Sequence, residues 1–238
     1  IAHHVFRGNR HDDDTVTEVL TDLERRFGLK RIVSVGDRGM VTTANLATIK
    51  ARQHGYLVGL QRRRREEVFQ LIGRATGPWT ECPVGITARE KTREQPKTLV
   101  QEVASGEAGV RIFVVQSDER LAYERAMRER DMERTRVALE RLQRRVAAGT
   151  LKAPEKIGEA AGRILARHHG HRYFGWELRA GAFRFFEHPV HLERERAYEG
   201  KYVIRTEEPE LSAVEAVQAY KDLSEVERAF RELKDVIA

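Results

Sequence analysis

The stretch Ile32-Val33-Ser34-Val35-Gly36-Asp37 decides the fold that we predict for this chain. It is a short apolar run bounded by a glycine, a pattern typical of a strand buried on both faces of a parallel sheet. A helical pattern carrying Leu46 and Ile49 follows, and we expect Gly55 to end that helix. Residues 56–60 are again apolar and strand-like. Strand, helix and strand at this spacing predict a βαβ unit with parallel strands.

Further elements are predicted on both sides of this unit. Apolar residues at helical spacing indicate a helix that starts near Val16 and ends at Gly28, and residues 201–206 are typical of a strand. Ser212 and Glu215 predict a capping box that opens a final helix. Between these parts lie predicted strands at 98–104 and 110–115, an Arg-rich helix at 118–148, a helix after 154 and aromatic strands within 173–190.

The composition favours a partner that is a polyanion. The 238 residues carry a net charge of +6, which indicates nucleic acid ahead of membrane lipid, although a soluble basic protein without such a partner has the same balance. Cys82 is the single cysteine, so no disulfide framework forms within the chain, as in proteins of a reducing cytoplasm. No apolar run approaches the ~20 residues that cross a bilayer.

Asp37 is the first candidate for chemistry. It follows the predicted strand 32–36 directly, and α/β sheets hold their ligands in the crevice outside the carboxyl ends of their strands. Gly36 and Gly39 let the backbone turn tightly on either side. The alternative interpretation is an aspartate that only stabilises a turn or caps the next helix.

Glu227 is the second candidate, in the final predicted helix. Glu227, Arg231 and Lys234 follow at i, i+4 and i+7, and seven residues leave only ~20° of angular drift on a helix. Glu227 and Lys234 therefore share a face, from which a carboxylate can reach a metal and an amine a phosphate. Two structural interpretations stay open: a capping box with Ser224, and an ordinary i, i+4 ion pair with Arg231.

A family resemblance links the two candidates. Val35-Gly36-Asp37-Arg38-Gly39-Met40 resembles the strand-plus-aspartate motif of insertion-sequence transposases of the IS-four family. The stretch from Tyr220 through Glu227 to Lys234 is similar to that family's Tyr-x2-Arg-x3-Glu-x6-Lys signature. Leu223 stands where the signature has arginine, which removes one expected DNA contact.

The resemblance implies an α/β fold of RNase H type, a mixed sheet with helices interrupted by a large α+β insertion. It divides the chain into a first core part at 1–61, an insertion at 62–197 and a last core part with the glutamate helix at 198–238. It also implies that a first catalytic aspartate precedes Ile1, so that the chain is a C-terminal catalytic fragment, inactive alone. The implied activity is metal-dependent DNA cleavage and strand transfer at insertion-sequence ends.

The family's functional residues carry over onto matching positions. Asp37 and Glu227 would be the catalytic carboxylates and the ligands of Mg²⁺ or Mn²⁺, since Mg²⁺ prefers carboxylate oxygens, water and phosphate. The implied DNA contacts are Arg38, Arg62, Arg63, Arg64, Arg65, Tyr220, Arg231 and Lys234. The run Arg62–Arg65 also fits a solvated loop. The implied partners are double-stranded DNA at transposon ends and target and a second copy of the chain, in the bacterial cytoplasm at the nucleoid, with no membrane.

Other functions remain open from the residues. An RNase H-like nuclease or resolvase would hydrolyse DNA without strand transfer. A non-catalytic DNA-binding remnant or charged scaffold would use the 118–148 helix, which is either a solvated hairpin helix or one that lies along DNA. A zinc site at His168, His169 and His171 is a weaker hypothesis, because this spacing is poor for tetrahedral closure.

Overall fold

The structure is a computed structural model that describes residues 6, 15–36, 42–60, 66–83 and 96–237, without the side chains of 224, 225, 227, 228, 230, 231 and 233–237. Its helices are α1 (Val16–Phe27), α2 (Thr43–Ala51), α3 (Glu66–Gly73), α4 (Asp118–Ala147), α5 (Pro154–Arg167), α6 (Pro189–Tyr198) and α7 (Ala213–Ile237). Its strands are β1 (Val33–Gly36), β2 (Gly55–Gly59), β3 (Thr80–Cys82), β4 (Thr98–Val103), β5 (Arg111–Ser117), β6 (Phe174–Arg179), β7 (Ala182–Glu187) and β8 (Lys201–Thr206).

A mixed six-stranded sheet organises the first of two compact units, which comprises Ile1–Ser117 and Lys201–Ala238. The strand order is β1-β2-β8-β5-β4-β3. β1 and β2 are parallel, which confirms the predicted βαβ unit, and all other neighbours are antiparallel. The chain is therefore α/β, as predicted.

Helices cover both faces of this sheet at β2. Tyr56 and Val58 pack with residues of α1 and α2, whereas Leu57 packs with residues of α7. Successive side chains of a strand point to opposite faces, so an entirely apolar strand needs a helix on each side. β2 is buried at all five positions, which is the physical reason for its uninterrupted apolar sequence.

Gly55 has a different role from the predicted one. α2 ends at Ala51, and Gly55 opens β2 after a turn in which Gln53 adopts a positive φ of 57°. A Cβ at Gly55 would collide with the carboxylate of Glu208, which binds Arg31 at 2.6 Å. The glycine is needed for this close approach rather than for a helix end.

The start of α7 follows the predicted capping box. The Glu215 backbone N–H donates to Ser212 Oγ at 3.2 Å, and the Ser212 N–H donates to Glu215 Oε2 at 2.9 Å. The bonds from Ser212 lower the pKa of the Glu215 carboxyl. Because α7 continues through Ser224 to Ile237, Ser224 caps no helix, and the capping-box interpretation of Glu227 is wrong.

The second compact unit spans Asp118–Gly200 and has a core of its own. α4 contributes Leu139 and Leu142, α5 contributes Ile157, and the two-stranded sheet β6-β7 contributes Phe174 and Phe183. The predicted long helix, the shorter helix after it and the aromatic strands are all present.

The boundary of this second unit falls at residue 118 rather than at the predicted residue 62. β5 is paired along most of its length with β8, and β4 with β5, so both strands belong to the six-stranded sheet. Strand pairing between distant segments depends on the whole sheet and leaves no local pattern, which is why the sequence did not separate these strands from the insertion.

Carboxylates join the two ends of the second unit. Glu124 accepts a bond from the backbone N–H of Gly200 at 3.0 Å and one from Arg120 at 2.9 Å. Arg128 binds Glu199, and both side chains are buried. A buried charge pair of this kind stabilises the fold only while both partners are present.

Within the described ranges, no helix combines the length and apolar character required to span a membrane.

Candidate functional site

The carboxyl ends of β1 and β2 form the edge at which the first sequence motif lies. Gly36, the last residue of β1, pairs in register with Val58 of β2. Asp37 and Arg38 come directly after Gly36 in the sequence and lie outside the described residues, as does the run Arg62–Arg65 that follows β2.

Tyr220 of α7 lies at this same edge. Its ring stacks on Tyr202 of β8 with 5.6 Å between centroids, and a Cβ built on Gly59 would collide with its hydroxyl. Gly59 is the neighbour of Val58, the register partner of Gly36. The structure therefore brings the tyrosine of the second motif beside the strand end that precedes Asp37, although the two motifs are far apart in the chain.

The rest of the second motif is described only as backbone. α7 is unbroken from Ala213 to Ile237, so positions 227, 231 and 234 belong to the helix that carries Tyr220. Seven residues separate Tyr220 from Glu227, so the two positions share one face of α7 within ~20°. The side chains of Glu227, Arg231 and Lys234 lie outside the described residues, so the meeting of Asp37 with Glu227 stays a prediction.

Two lysines that the sequence reasoning missed lie at this edge. Lys221, next to Tyr220, donates to Thr98 Oγ1 at 2.8 Å and ties α7 to the first residue of β4. Lys201 opens β8, three residues before Ile204, the partner of Gly59. Burial lowers the pKa of Lys201, because the charged amine is partly removed from water.

No sequence signal marks these lysines, because each is one cation in a chain rich in them. Their position follows from strand directions: β2 runs toward this edge, whereas β8 and β4 start from it. The described part of the edge thus combines two stacked tyrosines with two amines, an arrangement suited to binding phosphate groups of a polyanion.

The described residues of the second unit do not support the predicted zinc site. The rings of His169 and His171 meet edge to face with 6.2 Å between centroids. Within the ranges that the structure describes, no group of three or more His, Cys, Asp or Glu residues is arranged to hold a metal ion.

Comparison with known proteins finds no relative: the chain matches no protein-family profile, no curated protein and no solved structure.

Proposed function

We propose that this chain belongs to the catalytic part of a bacterial DDE-type DNA transposase with an RNase H-like core. One observation carries the proposal: Tyr220 lies against Gly59, beside the strand end that leads into Asp37. Gly36 and Tyr220, one residue from each of two motifs that resemble one family's signature, thus lie at one edge of one sheet. A chance match of either motif would not require them to be neighbours in space.

Asp37 and Glu227 are the proposed ligands of Mg²⁺ or Mn²⁺. Their oxygens fit the preference of these ions. Asp37 directly follows β1 in the sequence, and position 227 belongs to α7. When bound, such ions neutralise charge on the attacking and leaving oxygens of a phosphodiester. The protein's own part is to fix the two carboxylates on a strand end and on a helix.

The surrounding cations would hold the DNA. Lys201 and Lys221 lie at the described part of the edge, and we propose that Arg38, Arg62–Arg65, Arg231 and Lys234 extend this basic surface. Such a protein would act at the nucleoid in the bacterial cytoplasm, as a homodimer, because two transposon ends must be paired.

Manganese binding by the chain tests the proposed metal ligands. We expect Asp37→Asn and Glu227→Gln each to weaken Mn²⁺ affinity at least tenfold, measured by electron paramagnetic resonance titration, because each removes one charged ligand. Glu225→Gln, on the same helix but about 160° away from Glu227, is the matched control. Unchanged affinity in both ligand variants contradicts the proposal.

A product assay on paired DNA ends separates strand transfer from the hydrolysis expected of a nuclease or resolvase. Two carboxylates leave a two-metal site incomplete, so we expect no strand transfer by the 238-residue chain with Mg²⁺ and paired DNA ends. Joined product from the chain would refute this expectation. Hydrolysed DNA without joining would favour the nuclease or resolvase instead.

A further inference from the structure

Helix α4 has one face that packs and another that is basic. Its buried residues, which include Met132, Leu139, Leu142 and Val146, form one stripe along the helix. At 3.6 residues per turn, four exposed arginines fall within an arc of about 60° on a different side. We call this set the basic face: Arg130, Arg134, Arg141 and Arg145.

The arginines of the basic face differ in their partners from three other arginines of α4. Arg120 binds Glu124, Arg128 binds Glu199, and Arg136 binds Glu133 and Glu187, both at 2.6 Å. By contrast, no guanidinium group of the basic face forms a salt bridge or hydrogen bond with a residue that the structure describes. Their charges are not neutralised by the described protein.

A groove extends the basic face toward the end of α5. Arg134 and Arg141 line it together with Arg167 and His168, and its floor is formed by Val137 and Ala138. Arg167 is exposed and also lacks a described partner. Glu133 is the acidic residue that lines the groove, and its carboxylate is bound by Arg136. Three arginines therefore line a shallow site with a small apolar floor.

We propose that the basic face and Arg167 bind the phosphate backbone of double-stranded DNA. Arg130 and Arg145 are separated by roughly 22 Å along a straight helix, and duplex DNA carries one charge per ~1.7 Å of its axis. Tyr123 is the single aromatic residue on this side of α4, whereas proteins that bind single strands stack successive bases on several aromatic rings. The surface therefore fits a duplex better than a single strand.

This inference rests on the proposed function, because DNA is the polyanion that a transposase binds. The surface concerned is not the carboxyl edge of β1 and β2. Phosphate contacts of this kind position DNA without reading its sequence. The second unit would thus hold DNA independently of the proposed metal ligands.

Salt-dependent binding of a fluorescein-labelled 30-base-pair duplex of arbitrary sequence tests the surface in the full chain. We expect Arg134→Gln/Arg141→Gln/Arg167→Gln to weaken affinity at least tenfold at low salt. The slope of log affinity against log salt should fall by about 0.9 for each phosphate that the variant no longer neutralises. The matched control, Arg125→Gln/Arg184→Gln/Arg196→Gln, removes three exposed charges of the same unit outside the groove and should change affinity less than twofold.

The outcomes separate this inference from the proposed function. If both triple variants bind the duplex with equal affinity while Mn²⁺ binding still depends on Asp37 and Glu227, DNA binding by the basic face is overturned. The proposed metal ligands are then unaffected. A selective loss in the groove variant, with Mn²⁺ binding insensitive to both carboxylates, supports the basic face and contradicts the proposed active site. Binding to phosphatidylserine vesicles but not to the duplex overturns DNA as the partner. Circular dichroism melting of each variant checks that it is folded.

Discussion

The six-stranded sheet and the basic face of α4 both carry arginines but use them in opposite ways. Arg111 of β5 donates to both carboxylate oxygens of Glu102 at 2.8 Å and to the carbonyl of Leu211 at 2.6 Å. Arg205 of β8 binds Glu107 at 2.6 Å. The guanidinium groups of the basic face have no partner among the described residues. The comparison teaches that net charge does not locate a ligand surface, because tertiary contacts decide which cations are neutralised.

The largest loss of stability is expected for a change at Arg128 of α4, whose charge is neutralised by Glu199. Arg128→Met should lower the free energy of unfolding of the second unit by about 3–5 kcal/mol, because Glu199 would remain buried as an unpaired charge. Chemical denaturation followed by circular dichroism measures this loss. The double variant Arg128→Met/Glu199→Leu removes both charges and should recover much of the stability. If the double variant is less stable than the single variant, the unpaired charge of Glu199 is not the cause of the loss.

In the sheet, Arg111→Met should lower the free energy of unfolding by about 1.5–3 kcal/mol, the range for hydrogen bonds to charged groups. The variant loses the bonds to Glu102 and leaves the Leu211 carbonyl without this donor. Arg134→Met is the control on the basic face. If urea denaturation shows equal losses for the two variants, the contrast between the two regions does not hold.

Acid should weaken the Arg111–Glu102 pair specifically. The hydrogen bonds from Arg111 hold the pKa of Glu102 below its ordinary value of 4.5, so the carboxylate stabilises the fold above that pH. This contribution is lost as the pH falls through the lower, folded pKa. The difference in unfolding free energy between the wild type and Arg111→Met should therefore shrink below pH 4.5. A difference that grows on acidification would contradict this sign.

The smallest effect is expected on the basic face. Replacing Arg130 and Arg145 by glutamine should change the free energy of unfolding by no more than about 0.5 kcal/mol per site, as at ordinary surface positions. Thermal melting of the double variant measures it. A loss above about 1 kcal/mol per site would mean that these arginines are structural, and the comparison with the sheet would fail.

Much of the fold was predictable because its signals are local. The apolar run at 32–36, the helical spacing after Val16 and the capping box at Ser212 each specify an element from adjacent residues. The register between β5 and β8 was not predictable, because both strands are apolar and several pairings satisfy the same pattern. This is why 98–117 was placed with the insertion.

The candidate site was likewise predictable only in part. The motifs that contain Asp37 and Tyr220 were visible in the sequence, whereas the placement of Tyr220 beside the ends of β1 and β2 depended on how α7 packs. Lys201 and Lys221 had no signal, since their position at the edge follows from strand direction rather than from neighbouring residues.

The sequence by itself determined the α/β class, the parallel βαβ unit and the long Arg-rich helix, because hydrophobic periodicity and capping act over a few residues. Only the tertiary structure decided where the second unit begins, that Tyr220 lies on Gly59 and which arginines are neutralised. Those outcomes depend on residues far apart in the chain that meet only after folding, and a charge becomes structural or available to a ligand only when the fold selects its neighbours.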